Sequence, residues 1–159
     1  MEKVNFAELK REGFTKQVQK DHFSLRLHIV GGQITSKQLQ VLGAIADEYG
    51  HGYVHLTSRQ GLEIPFIKLE HVQQVKEKLA EGALETGAGG PRVRTITACQ
   101  GKNVCPHGLI DTTGLARALD QKHYGRELPH KFKLGITGCR NNCLKAEEND
   151  LGIKGGMIV

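Results

Sequence analysis

At 159 residues, with 38% hydrophobic residues, no Trp and 20 glycines, the chain has room for one ordinary domain or two small ones with modest cores. Charged residues make up 25% without a long single-sign run, which excludes wholesale disorder, and the net charge of +5 points to an anionic partner or ligand. The N-terminal MEKVNFAELKREGF lacks the apolar core of a signal sequence and no later stretch approaches a membrane span, so a reducing, cytoplasmic setting without a membrane partner is expected.

Residues 1–20 are polar and mixed and read as a lead-in with a short helix. A strand begins at Phe23, where Phe23, Leu25 and Leu27 alternate with Ser24, Arg26 and His28. Gly31-Gly32-Gln33 turns the chain. Thr35 followed by Gln38 matches a capping box, and Leu39, Leu42, Ile45, Ala46 and Tyr49 recur at helical spacing until Gly50-His51-Gly52. YVHLTS and GLEIPFIKL read as a hairpin around Arg59-Gln60-Gly61, and a helix over 69–81 carries Val72, Val75 and Leu79 on one face. This β-α-β-β-α order predicts an α+β fold with a ferredoxin-like half-domain over 21–87.

EGALETGAGGPR is Gly-rich and broken by Pro91, which sets a boundary near 88. Past it, VRTITAC is a short strand running into Cys99, and Ile110 to Tyr124 is a helix with Leu115, Ala118 and Leu119 as its buried side. KFKLGITG is a strand delivering Cys139, NCLKAEEND a short helix, and LGIKGGMIV a further strand. The chain stops there without a polar tail, so the second domain, 88–159, is expected to be incomplete at its C-terminal end.

All four cysteines fall in two tight pairs, Cys99/Cys105 as C-x5-C and Cys139/Cys143 as C-x3-C, each in a loop rich in Gly, Asn or Pro. In a reducing setting such pairs are ligands rather than disulfides, suited to an iron–sulfur cluster or a zinc ion. Zinc favours chelate loops of about two to four residues in both pairs; a five-residue loop is ordinary for a cubane cluster. Unrelated core thiols are the bland alternative, but they have no reason to pair twice in glycine-rich loops.

Arg59 lies at the hairpin, Arg94 shortly before Cys99, and Lys131 and Lys133 flank Phe132 before Cys139. On a strand, positions 131 and 133 share a face, and two ammonium groups side by side repel unless an anion or water separates them. Surface lysines are ordinarily solvated. Here Arg94, Lys131 and Lys133 are expected on the strands that feed the cysteine loops, where cations beside a redox centre would bind a small oxyanion and supply protons.

Together, the two cysteine pairs, T-S-R-Q at Thr57–Gln60 and L-P-H-K-F-K at Leu128–Lys133 resemble the sirohaem-containing sulfite and nitrite reductases, over about residues 20–159. The resemblance implies an α/β sirohaem/iron–sulfur-binding domain after the ferredoxin-like half. It implies a 4Fe-4S cluster held by Cys99, Cys105, Cys139 and Cys143, with Cys143 also bridging to the sirohaem iron. Arg59, Arg94, Lys131 and Lys133 would then surround sulfite or nitrite, while Gln60, His130 and Asn141 hold the edges of the haem. The chain departs from the family pattern at Arg140 and Asn142, where Pro and Gly are frequent, and at His130, where arginine is common.

Family enzymes usually join two such half-units in one chain; this sequence has one. The resemblance therefore implies a homo-oligomer, a partner subunit or a further C-terminal part to complete the pocket, and a protein electron donor. The expected function is reduction of sulfite to sulfide, with nitrite the nearest rival substrate. A haem-free iron–sulfur electron-transfer module and a structural zinc domain are the alternatives from other classes. No phosphate loop, acid/base carboxylate pair or aromatic–basic interleaving is present, so no nucleic-acid partner is expected.

Overall fold

The computed structural model describes residues 5–157; residues 1–4 of the expected lead-in and 158–159 of the expected final strand lie outside the described residues. The chain divides into two compact units. The first runs to Ile29 and from Gln33 to Gly90; the second comprises Val30–Gly32 and everything from Pro91.

In the first unit, α1 (Phe6–Arg11) and β1 (Phe14–Lys16) precede β2 (His22–Arg26), α2 (Ser36–Tyr49), β3 (His55–Leu56), β4 (Leu62–Lys68) and α3 (Val72–Glu81). Its sheet has the order β1-β2-β4-β3 and is antiparallel throughout. Phe23, Leu25, Leu27, Ile64 and Ile67 face a core closed by Leu42, Ile45 and Ala46 of α2 and Val72, Val75 and Leu79 of α3. The period-two and helical patterns of the sequence are thus the two faces of one core.

The expected lead-in over residues 1–20 contributes a strand: β1 pairs with β2, placing the fully buried Phe14 opposite Leu25. A three-residue strand with one buried side chain is too short to show a period. The hairpin is also shorter than expected. Only His55 and Leu56 pair with β4, because the chain closes early: Thr57 N–H donates to the Gly61 carbonyl at 2.9 Å and Gly61 N–H to Thr57 Oγ1 at 3.1 Å. β4 itself carries a bulge, since Phe23 pairs with Ile67 but Leu25 with Ile64. Pro65 offers no N–H to the ladder and Phe66 takes a φ of +65°, its own N–H going to Gln17 Oε1 at 2.8 Å.

The second unit holds β5 (Thr97–Ala98), α4 (Thr112–His123), β6 (Leu134–Thr137) and β7 (Leu151–Lys154), with short 3-10 turns at Gly101–Asn103 and Ala146–Glu148. Its sheet is parallel, in the order β5-β6-β7. Val93, Ile96, Ala98, Leu134 and Ile136 form its core with Ala116 of α4. The buried stripe of α4 is Thr112, Ala116 and Asp120, not the expected Leu115, Ala118 and Leu119; Leu115 and Leu119 border the core and Ala118 is exposed. Small residues at 112 and 116 let the helix approach the two short strands closely, so apolar size misidentifies the inner face.

The capping box of α2 is complete: Gln38 N–H donates to Thr35 Oγ1 at 3.2 Å and Thr35 N–H to Gln38 Oε1 at 3.1 Å. Thr35→Ala is expected to lower stability by about 1 kcal/mol, read as a shifted denaturant midpoint at unchanged slope.

Candidate functional site

Parallel pairing determines where the cysteines lie. β5 and β6 are in register at Thr97/Gly135 and Ala98/Ile136, so the chain leaves both strands at the same edge of the sheet, directly into the two cysteine loops. Cys99 continues the ladder, its N–H donating to the Ile136 carbonyl at 3.0 Å. Gly138 then joins the loops: its N–H donates to Cys99 Sγ at 3.0 Å, and its carbonyl accepts from Leu109 N–H at 2.8 Å. The Thr137 hydroxyl lies 3.9 Å from the same sulfur.

The first loop is compact because glycine backbone packs on itself. Gly101 has a φ of +61°, and a Cβ there would fall 2.3 Å from Thr112 Oγ1; a Cβ on Gly108 would fall 2.4 Å from the Gly101 carbonyl carbon. Cys105 N–H donates to the Gly101 carbonyl at 2.9 Å, and Thr112 Oγ1 to the Cys99 carbonyl at 2.5 Å, which ties the start of α4 to the loop.

The second loop is held differently. Asn142, between Cys139 and Cys143, has a φ of +51°. Its Oδ1 accepts from Ala146 N–H at 2.9 Å, its Nδ2 donates to Glu147 Oε2, and Glu147 Oε1 in turn accepts from Lys154 Nζ. The Lys154 ammonium, the residue's own backbone N–H and the Asn142 amide hold the Glu147 carboxyl down at about 2, well below its ordinary 4.5.

All four cysteines carry free thiols; Cys99, Cys105 and Cys139 are half-buried and Cys143 is exposed. Among the described residues, no three Cys, His, Asp or Glu side chains converge on a point that would hold a single metal ion. The donor set nevertheless fits an iron–sulfur cluster in kind: sulfur ligands on two joined loops, with an amide already donating to one of them.

The cations divide between the units. Arg59 and the left-handed Gln60 (φ +56°) form the tip of the β3–β4 hairpin in the first unit. In the second, Val93 and Phe132 form an isolated parallel bridge: Phe132 N–H donates to the Arg92 carbonyl at 3.0 Å and its carbonyl accepts from Arg94 N–H at 2.8 Å. Parallel register sets Arg94 beside Lys133, on the side of the chain opposite the core-facing Val93 and Phe132. Lys133 is further fixed by Asp150, whose Oδ2 accepts its N–H at 2.7 Å, and by Leu151 N–H, which donates to its carbonyl at 3.1 Å. Lys131, His130 and Asn141 are exposed.

Arg94, Lys131 and Lys133 are expected on the strands that feed the cysteine loops. They instead precede both strands, whereas the cysteines follow them. From Lys133 to Gly138 the chain covers roughly 16 Å at the rise of an extended strand. Within this unit Arg94 and Lys133 are neighbours before the strands, and the two cysteine loops are joined through Gly138 after them, at opposite ends of the sheet. Sequence reasoning missed Gly138, Asp150, Glu147 and Lys154. The acidic run Glu147-Glu148-Asn149-Asp150 reads as a solvated turn until its partners are known.

Comparison with known proteins accords with this geometry. A family model described as the nitrite/sulfite reductase ferredoxin-like half domain matches residues 15–82, and one described as the nitrite and sulphite reductase 4Fe-4S domain matches residues 89–156. The coenzyme F420-dependent sulfite reductase of Methanocaldococcus jannaschii is 38% identical over 125 residues, covering 79% of this chain and 20% of that protein. The NAD(P)H nitrite reductase large subunit of Klebsiella oxytoca is 34% identical over 138 residues, covering 86% of this chain and 14% of that protein. This chain thus spans a fifth or less of the length of these two relatives. In fold, it is similar to the Mycobacterium tuberculosis NirA protein, with a TM-score of 0.75 at 19% identity, covering 88% of this chain and 30% of that one. No helix among the described residues is long and apolar enough to cross a membrane.

The depressed Glu147 carboxyl has a definite sign. Its ties to Lys154 and Asn142 contribute fully above about pH 4.5 and are lost as the pH falls through about 2. Carbon-detected NMR of the Glu side chains is expected to show Glu147 protonating last.

Proposed function

The chain belongs to the nitrite and sulfite reductase family, with both its ferredoxin-like half domain and its 4Fe-4S domain, and on that premise we propose that it is a half-unit of a sirohaem-dependent sulfite reductase. The observation that carries the proposal is the joining of the two cysteine loops by Gly138, whose N–H already donates to Cys99 Sγ. Amide hydrogen bonds to sulfur are one of the protein's means of tuning an iron–sulfur centre.

In this reading Cys99, Cys105, Cys139 and Cys143 hold the 4Fe-4S cluster. Cys143, the exposed thiol of the four, would hold both the cluster and the sirohaem. Gln60, His130 and Asn141 hold the haem periphery. When bound, the two groups would supply the electron transfer from a protein donor to the oxyanion. Conversion of sulfite to hydrosulfide takes six electrons and seven protons and releases three waters. Arg59, Arg94, Lys131 and Lys133 bind the oxyanion, and the lysines hand on protons through water. Nitrite is the alternative substrate, since the same cations suit any small oxyanion. The four free thiols suit a reducing, cytoplasmic setting.

The opposite placement of cations and cysteines along the second sheet supports the partner requirement. A second half-unit, from another copy or a partner subunit, would present its cations to the cysteine edge of this one. The two sets of residues would then belong to different half-units of one pocket.

Anaerobic purification followed by absorption spectroscopy and metal analysis is expected to give iron, acid-labile sulfide and haem bands. Iron and sulfide without haem would favour a bare electron-transfer module, and stoichiometric zinc alone would sink both readings. Cys143→Ser is expected to disturb the cluster and haem spectra together, whereas Lys131→Ala leaves the spectra intact and lowers kcat/KM for sulfite about a hundredfold. If two copies share each pocket, mixing Lys131→Ala chains with Cys143→Ser chains should restore part of the activity that each lacks alone.

A further inference from the structure

The acidic turn after Cys143 has no part in the function proposed above, yet it closes a mechanical circuit around the second cysteine loop. Asn142 sits one residue before Cys143 in left-handed backbone, at φ +51°. That conformation crowds any residue with a Cβ; Asn tolerates it because its short amide can bond nearby backbone. Here the amide is used at both ends. Oδ1 takes the Ala146 N–H at 2.9 Å and Nδ2 reaches Glu147, whose other oxygen holds Lys154. Lys154 ends β7 in register with Thr137, and the next residue, Gly155, donates its N–H to the Thr137 carbonyl at 2.9 Å. The circuit therefore starts and finishes at Thr137, the last residue before the loop.

We propose that Glu147 and Lys154 are positioning residues for the second cysteine loop, holding Asn142 in the conformation from which the backbone turns to Cys143. An exposed lysine–carboxylate pair by itself contributes little. This one differs because its carboxylate is shared with an amide whose own backbone occupies a disfavoured conformation. The contrast with the first loop is direct. There, glycines at 101 and 108 meet the steric demand unaided; the second loop has Asn where a glycine would need no such support. The significance for the cluster rests on the reading of Cys139 and Cys143 as its ligands, while the tie itself is a property of the chain alone.

The test compares Glu147→Ala, Lys154→Met, Asn142→Gly and the double variant Asn142→Gly/Glu147→Ala, each as the full chain. In the cofactor-free state, amide exchange over residues 139–146 and iodoacetamide alkylation of Cys143 are expected to quicken about fivefold in Glu147→Ala and Lys154→Met. Exchange in β2 and β4 should not change. In the Asn142→Gly background, Glu147→Ala should add nothing. After anaerobic reconstitution, Glu147→Ala should lose iron to a chelator about threefold faster than the unsubstituted chain. Unchanged exchange and alkylation in Glu147→Ala overturn the proposal, as does an equal effect of that substitution with and without Asn142→Gly. An unsubstituted chain that takes up no iron refutes the cluster reading alone, because exchange and alkylation still report on the tie.

Discussion

Everything at the cysteine edge depends on the backbone of one residue, Gly138. Its N–H faces the Cys99 sulfur and its carbonyl takes the Leu109 N–H, so one residue fastens the second cysteine loop to both ends of the first. The position tolerates little else. A Cβ on Gly138 would lie 3.1 Å from the Gly101 Cα and 3.5 Å from Cys99 Sγ, and one on Gly155 would fall 2.2 Å from the Gly138 carbonyl oxygen. Three backbone segments meet there with no room for side chains between them, which is why the loops are rich in glycine.

That meeting is possible only because β5, β6 and β7 are parallel. Parallel strands send their following loops out at the same edge, at the cost of a crossover, which α4 supplies between β5 and β6. The same arrangement sends whatever precedes the strands to the other edge. The Val93–Phe132 bridge, with Arg94 and Lys133 in register beside it, is therefore as far from the cysteines as the strands are long. A half-unit of this topology separates its cysteine edge from its Arg94–Lys133 edge by construction.

Much of this was legible in the sequence. The alternation at Phe23, Leu25 and Leu27, the Thr35–Gln38 capping box and the Val72, Val75, Leu79 stripe each describe a local pattern with a fixed period, and each appears where the pattern lies. What escaped depends on partners distant along the chain. Phe14 has no periodic neighbours and is recognisable only from Leu25 across the sheet. The β4 bulge at Pro65–Phe66 needs the register with β2, and the inner face of α4 needs the strands beneath Thr112 and Ala116. At the site, the cysteine pairs stood out by spacing alone. That the strands feeding them run parallel, and so part the cysteines from the cations, is a property of pairing that no spacing records.

The two cysteine loops meet one steric problem in two ways. A left-handed residue inside a tight cysteine loop can be glycine, which accepts the conformation but leaves the unfolded chain more states to lose on folding. Asn at 142 restricts the unfolded loop more, but its Cβ must be offset by bonds that keep the backbone turned. Those bonds run through Glu147 to Lys154, so the shape of the loop is coupled to the end of β7 and to the ionisation of an exposed carboxylate. The coupling is what a glycine loop lacks: the backbone around Cys143 is set jointly by the sheet register and by a charged pair, and a change at either reaches the exposed thiol.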